Sequence, residues 1–133
     1  MEKVYEFLNG CNAFYFTTVD GDAPRCRPFG FKMMFEDKLY FGLGTHKASF
    51  AELEKNPNVE ICAMSTADRG AFIRIRGKAV IDARDEVQTA MYEASPFLSK
   101  TYNAETGWRH ECIYLEDMSA VVFHMGKGEE KIY

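Results

Sequence analysis

The stretch PRCRPFGFKMMFEDKLYFGLGTHKASF gathers the side chains that could hold an anion. Arg25 and Arg27 stand two residues apart and share one face of an extended strand. Thr45, His46 and Lys47 precede ASFAELEK, which reads as a short helix. A threonine cap and free backbone N–H groups there would make an anion-binding helix end, to which Lys47 adds a full charge. Taken singly, His46 and Lys47 also describe a solvated helix start, and Arg25 and Arg27 a surface strand. Register is what joins them. With Asp37 at the centre of a hairpin turn, paired positions sum to roughly 74, so Met33 lies opposite Phe41 and Gly30 opposite Gly44. The same register sets Arg27, Pro28 and Phe29 beside Lys47, His46 and Thr45, and a phosphate monoester fits where the two basic clusters meet.

Pro28 and Gly30 are poor interior strand residues, because proline removes a ladder donor and glycine often marks a close backbone approach. They also describe a simple bulge at a sheet edge. With Phe29, Phe31, Phe41 and Gly42 they form a ledge on which a flat ring could lie against backbone amides. A phosphate at one end and a planar ring along the hairpin is the outline of flavin mononucleotide (FMN).

The elements that must position these residues follow from the pattern. EKVYEFLNGC opens the chain as an amphipathic helix within residues 1–11, and NAFYFTTV, a run from about Pro24 to Phe35, and LYFGLG read as strands. Phe50 and Leu53 share one face of the second helix, with Ser49 and Glu52 at capping-box spacing and Asn56-Pro57 as terminator. NVEICAMS and the alternating AFIRIRGKAVIDA are strands. RDEVQTAMYEAS is a third helix ending at Pro96, residues 97–110 are irregular, and ECIYLEDMSAVVFHM is one bent strand or a pair. Residues 126–133 read as a loosely ordered tail. Along the long strand Ile73, Ile75, Gly77, Ala79 and Ile81 form one face and Arg74, Arg76 and Lys78 the other. Six strands in hairpin order, spaced by short helices, predict a mainly β domain over residues 1–133, a closed or partly closed antiparallel barrel.

The 133 residues carry a formal charge of -4, which argues against binding nucleic acid through the field of the whole molecule. Four scattered cysteines without a CxxC, no leader peptide and no membrane-spanning apolar run point to a reduced, cytoplasmic protein. GLGTHK lacks the third glycine of a dinucleotide fingerprint, and no P-loop, nucleophile elbow or paired metal-ligand spacing is present.

RPFGFKMMFEDKLYFGLGTHKASFAELEKNPNVEICAMS followed by IRGKAVID resembles the pyridoxamine 5'-phosphate oxidase-like family of FMN-binding split barrels, particularly its small members grouped with nitroimidazole-resistance proteins. The resemblance runs from about Ala13 to Met125. It implies a six-stranded antiparallel split barrel forming a homodimer with FMN at the subunit interface. Arg27 to Phe31 would then line the ring edge, and Thr45, His46 and Lys47 would face the phosphate. Trp108 and either Arg74 or Arg76 are candidates for covering the ring from the partner subunit. The family's true oxidases end in Trp, Arg and His residues that hold the substrate phosphate, whereas this chain ends VVFHMGKGEEKIY. Vitamin B6 oxidation is therefore not expected, and His124 reads as a core or rim residue. The function implied is an FMN-dependent oxidoreductase between NAD(P)H and a small planar acceptor, a nitroaromatic or quinone. A flavin carrier without its own substrate, or a haem- or deazaflavin-using barrel, is the alternative.

Overall fold

In the computed structural model, which describes all 133 residues, three short helices accompany eight strands of one antiparallel sheet. The chain runs α1 (Glu2–Asn9), β1 (Phe14–Asp20), β2 (Ala23–Phe29), β3 (Lys32–Phe35), β4 (Lys38–Gly44), α2 (Ala48–Lys55), β5 (Asn58–Met64), β6 (Ala71–Asp82), α3 (Asp85–Ala94), β7 (His110–His124) and β8 (Gly128–Lys131). A 3-10 turn, Pro96–Lys100, follows α3.

Strand order across the sheet is β2-β1-β5-β6-β7-β4-β3, with β8 added on β7. β2 and β3 thus lie at opposite edges, yet only Gly30 and Phe31 connect them. Such a link spans no more than roughly 11 Å. The sheet must therefore roll until its edges face each other, and the result is a barrel left open along one seam.

Two of the eight strands were not expected. The run from Pro24 to Phe35 is two strands rather than one, because it leaves the β1 ladder after Phe29 and joins the β4 ladder at Lys32. Pro28 is tolerated because β2 is an edge strand and needs no donor on its free side. The tail is also more ordered than expected: Gly128–Lys131 pairs with Val121–His124.

The β3–β4 register differs by one residue from the sequence expectation. Met33 faces Tyr40 and Lys32 faces Phe41, because the turn holds only Glu36 and Asp37, both at positive φ (47° and 58°), the conformation of a two-residue hairpin turn. A one-residue slip exchanges faces. Phe41 therefore points into the barrel with Leu39 and Leu43, among the 17 buried residues that include Phe14, Phe16, Ile61, Ile73, Ile75 and Ile113. Tyr40 and Met33 point outward instead, into a smaller cluster with Val87 and Met91 of α3 and Cys112. Each large apolar side chain so buried contributes roughly 1.5–3 kcal/mol.

The long-strand alternation holds over Ala71–Arg76 and lapses beyond the bulge, where Ile81 is exposed and Asp82 buried. Ile73 and Ile75 are buried inside, while Arg74 and Arg76 face out and pair with Glu129 and Glu60. Where β7 inserts an extra residue opposite β6, Asp117 sits at φ 49° and the strand bends. A Cβ on Gly77 would come within 2.9 Å of the Glu116 carbonyl oxygen, so that bend requires glycine there.

Candidate functional site

The open seam carries a pocket of about 360 Å³, within the range of small-molecule sites. Arg27, Pro28 and Phe29 at the end of β2 form one wall, and the Gly30–Phe31 link crosses it. Gly42 and Leu43 of β4, Lys47 and Ser49 at the start of α2, Leu98 and Tyr102 after α3, and His110 complete it. A second hollow adjoins along Gly30, Phe31 and Leu98, and reaches Lys32, Ala94 and Ser95.

The two basic segments do converge, although no ladder joins them: β2 pairs with β1, and β4 pairs with β3 and β7. The rolling of the sheet brings them together. Arg27 is already engaged, donating to Thr18 Oγ1 at 2.9 Å and pairing with Glu52 at 2.8 Å. That guanidinium, then Thr18, holds the Glu52 carboxyl below its ordinary range. Arg27 and Glu52 cancel in charge, so Lys47, exposed and without a carboxylate partner, supplies the net positive charge of the pocket. Arg25 lies away from it, paired with Asp20 at the surface.

No side chain caps α2: the helix starts at Ala48, Lys47 takes the cap position, and Thr45 instead donates its N–H to the Arg109 carbonyl. Ser49 and Glu52 form no capping box, because Ser49 is already inside the helix and Glu52 turns to Arg27 and Thr18. Ser49 Oγ is instead left as the single fully buried side-chain polar atom without a partner, at the pocket wall beside Lys47. An unsatisfied buried hydroxyl costs roughly 1–3 kcal/mol unless a ligand completes it. The fold has built a donor with nothing of its own to receive it.

Gly42 and Gly30 differ in what they do. A Cβ on Gly42 would stand 2.2 Å from His110 Cε1 and 2.8 Å from Phe31 Cδ1, so those rings fill the space expected for a bound ring above Gly42. A Cβ on Gly30 would meet nothing within 4 Å, which leaves the ledge there free. Phe41, expected on the ledge, is in the core. His46 and Trp108, like Thr45, are not among the residues that line the pocket; they stack on each other at 4.2 Å and 6°, and His46 leans on Tyr102 at 6.2 Å. With the Thr45–Arg109 bond they brace the irregular segment that carries Tyr102.

His110, Ser49, Leu98 and Tyr102 went unnoticed in the sequence as site residues. His110 begins β7 and pairs with Gly44. Its ring meets Phe31 edge-on at 5.6 Å and Tyr102 at 4.7 Å, with Nδ1 2.9 Å from Met91 Sδ. Burial, and then the charge of Lys47, push its pKa down to about 4, so the imidazole is neutral at ordinary pH.

Over residues 1–129 the chain matches the pyridoxamine 5'-phosphate oxidase family. It belongs to that family. Within it, this member is similar to a NimC/NimA family protein of Clostridium acetobutylicum, at 34% identity and TM-score 0.89, with 98% of this chain and 90% of that one covered. A pyridoxamine 5'-phosphate oxidase-related, FMN-binding protein of Nostoc punctiforme shares the fold at 15% identity and TM-score 0.64, covering 98% and 87%. So does a haem-binding protein of Mycobacterium smegmatis, at 13% identity and TM-score 0.71, covering 94% and 54%. No curated protein sequence matches the chain. The open barrel is thus the split barrel of the pyridoxamine 5'-phosphate oxidase family, and the pocket lies in its split. None of its helices is long and apolar enough to cross a membrane, and its four cysteines are free.

Proposed function

We propose that this protein is an FMN-dependent oxidoreductase that works as a homodimer, taking reducing equivalents from NAD(P)H and passing them to a small planar acceptor of the nitroaromatic or quinone type. The observation that carries the reading is Ser49 Oγ, buried and unpartnered at the start of an uncapped helix, beside the free charge of Lys47. Hydroxyl, ammonium and helix end together suit a phosphate monoester. Arg27, held in place by Glu52 and Thr18, stands ready as a fixed donor from the opposite wall.

Next to this end, Phe29 and Phe31 offer apolar walls, and Gly30 leaves a ledge without a side chain. The Gly30–Phe31 link lies outside both ladders, so its peptide groups can face a ring. FMN, when bound, supplies hydride and single-electron transfer; the chain supplies placement, polarity and exclusion of water. The pocket holds no acid–base pair or activated nucleophile, which suits chemistry done by a cofactor. Family membership and the FMN-binding relative support the same reading.

The protein as purified tests it. A yellow preparation with flavin absorbance, releasing a compound of FMN mass, and consuming NADH or NADPH only when a nitroaromatic or quinone is added, is the expected result. A Soret band in place of flavin absorbance would overturn the cofactor assignment, and bound FMN without acceptor-dependent turnover would leave a carrier rather than an enzyme.

A further inference from the structure

We propose that His110 fixes which way round the ligand lies, its Nε2 accepting a hydrogen bond from an N–H or O–H of the bound ring system or its sugar chain. The inference rests on the flavin reading above and adds an orientation to it.

The contact on the other side of the imidazole sets its tautomer. Nδ1 lies 2.9 Å from Met91 Sδ, and a thioether can accept a hydrogen bond but has none to give. The contact is attractive only if Nδ1 carries the hydrogen. In a neutral imidazole this leaves Nε2 as a bare acceptor. The ring cannot turn to exchange the two nitrogens easily, because Gly42 lies against Cε1, Phe31 meets it edge-on and Tyr102 closes the remaining side. Met91 is itself fully buried, on the inward side of α3.

No protein group pairs with Nε2, and Ser49 Oγ is the only fully buried side-chain polar atom without a partner. Nε2 therefore keeps accessible surface, and His110 lines the pocket. Burial and the nearby Lys47 keep the imidazole neutral, which preserves the acceptor. The pocket is thus polarised. Lys47, Ser49 and Arg27 present donors, whereas His110 presents an acceptor. A phosphate, which has only acceptor oxygens when ionised, is refused by Nε2 and taken by the donors. A ligand carrying a phosphate at one end and an N–H or O–H further along can lodge in one direction only.

The test uses the whole chain and ¹⁵N NMR of the histidine ring nitrogens, with FMN as the probe and flavin fluorescence quenching as the separate measure of binding. Without ligand, Nδ1 of His110 is expected in the protonated, pyrrole-type range and Nε2 in the bare, pyridine-type range. Saturation with FMN is expected to move Nε2 towards the pyrrole-type range. Met91→Leu, which removes the thioether, is expected to let the Nε2–H tautomer become populated. His110→Phe is expected to weaken FMN binding roughly tenfold, with His110→Gln, whose carbonyl can accept, recovering part of the loss. An Nε2–H tautomer in the free wild-type protein, or an Nε2 resonance unmoved while fluorescence shows FMN fully bound, overturns the proposal. Absence of any quenching overturns the flavin reading and this proposal with it, and is distinguished from the other failures by the fluorescence alone.

Discussion

A methyl group added at Gly30 would meet no atom within 4 Å, whereas one added at Gly42 would strike His110 and Phe31. The fold therefore needs glycine at position 42 for its own packing, and leaves the space at 30 for something else. Gly30→Val is expected to leave the melting temperature within a few degrees of wild type and to weaken flavin uptake at least tenfold, as followed by fluorescence; Gly42→Val should lower the melting temperature instead. His110 gives a second residue-level expectation. In the unfolded chain it titrates near 6.5, and in the fold at about 4, pushed down by burial and Lys47, while the Tyr102 phenol beside it stays neutral. The unfolded chain then binds the extra proton first as pH falls. Stability tied to neutral His110 is whole above about pH 6.5 and is lost progressively towards pH 4, by roughly 3 kcal/mol in all. Urea titrations at pH 7.5 and 4.5 should show that loss in wild type and a smaller one in His110→Gln.

The β3–β4 hairpin is the element on which the site's geometry turns. Its outward residue Tyr40 donates from its hydroxyl to Asp82 at 2.9 Å, and burial together with that carboxylate pushes the phenol up to about 12. Arg84 grips the same carboxylate at 3.0 Å and reaches Glu36 of the turn at 2.8 Å, so the hairpin tip is tied to the β6–α3 junction. Tyr40→Phe should cost about 1 kcal/mol in chemical denaturation. Asp82→Ala should cost more, since it leaves the buried hydroxyl without its acceptor and Arg84 without one of its two carboxylates. This hairpin also marks how far pattern reading reached. Glu36-Asp37 lacks the Asn-Gly signature of a two-residue turn, so the sequence suggests a centre at Asp37, half a residue beyond the true one, and the pairing shifts by one residue. The break at Pro28 and Gly30 was visible as chemistry unsuited to a strand interior. That the chain there changes from one sheet edge to the other was not visible, because it depends on strand order.

At the scale of the whole molecule, α3 and the turn after it cover the outward face of β3, β4 and the start of β7, while the outward face of β1, β2 and β5 carries no helix. Tyr15 and Met64 stand on that bare face at 50% and 57% exposure. A second copy of the chain is the partner proposed for it. Tyr15→Arg combined with Met64→Arg should convert a dimer to a monomer in sedimentation experiments, and should lower cofactor retention if the partner helps to cover the ring. The mainly β barrel and its three helices were legible in the sequence, since hydrophobic period and turn residues are local signals; Arg27 and Lys47 do line one pocket, but through the rolled sheet and not through the ladder that suggested it. Ser49 and His110 were not legible: one is a helix serine, the other a strand histidine, until a rolled sheet sets both beside the same space.

Lys47 and Ser49 are proposed to hold a phosphate, and the most direct measurement compares FMN with riboflavin, which differ by that group alone. Titrating wild type, Lys47→Ala and Ser49→Ala with each flavin should show both substitutions weakening FMN by about 10- to 100-fold and leaving riboflavin almost unchanged. Equal losses for the two flavins, or no loss for either, would contradict that assignment.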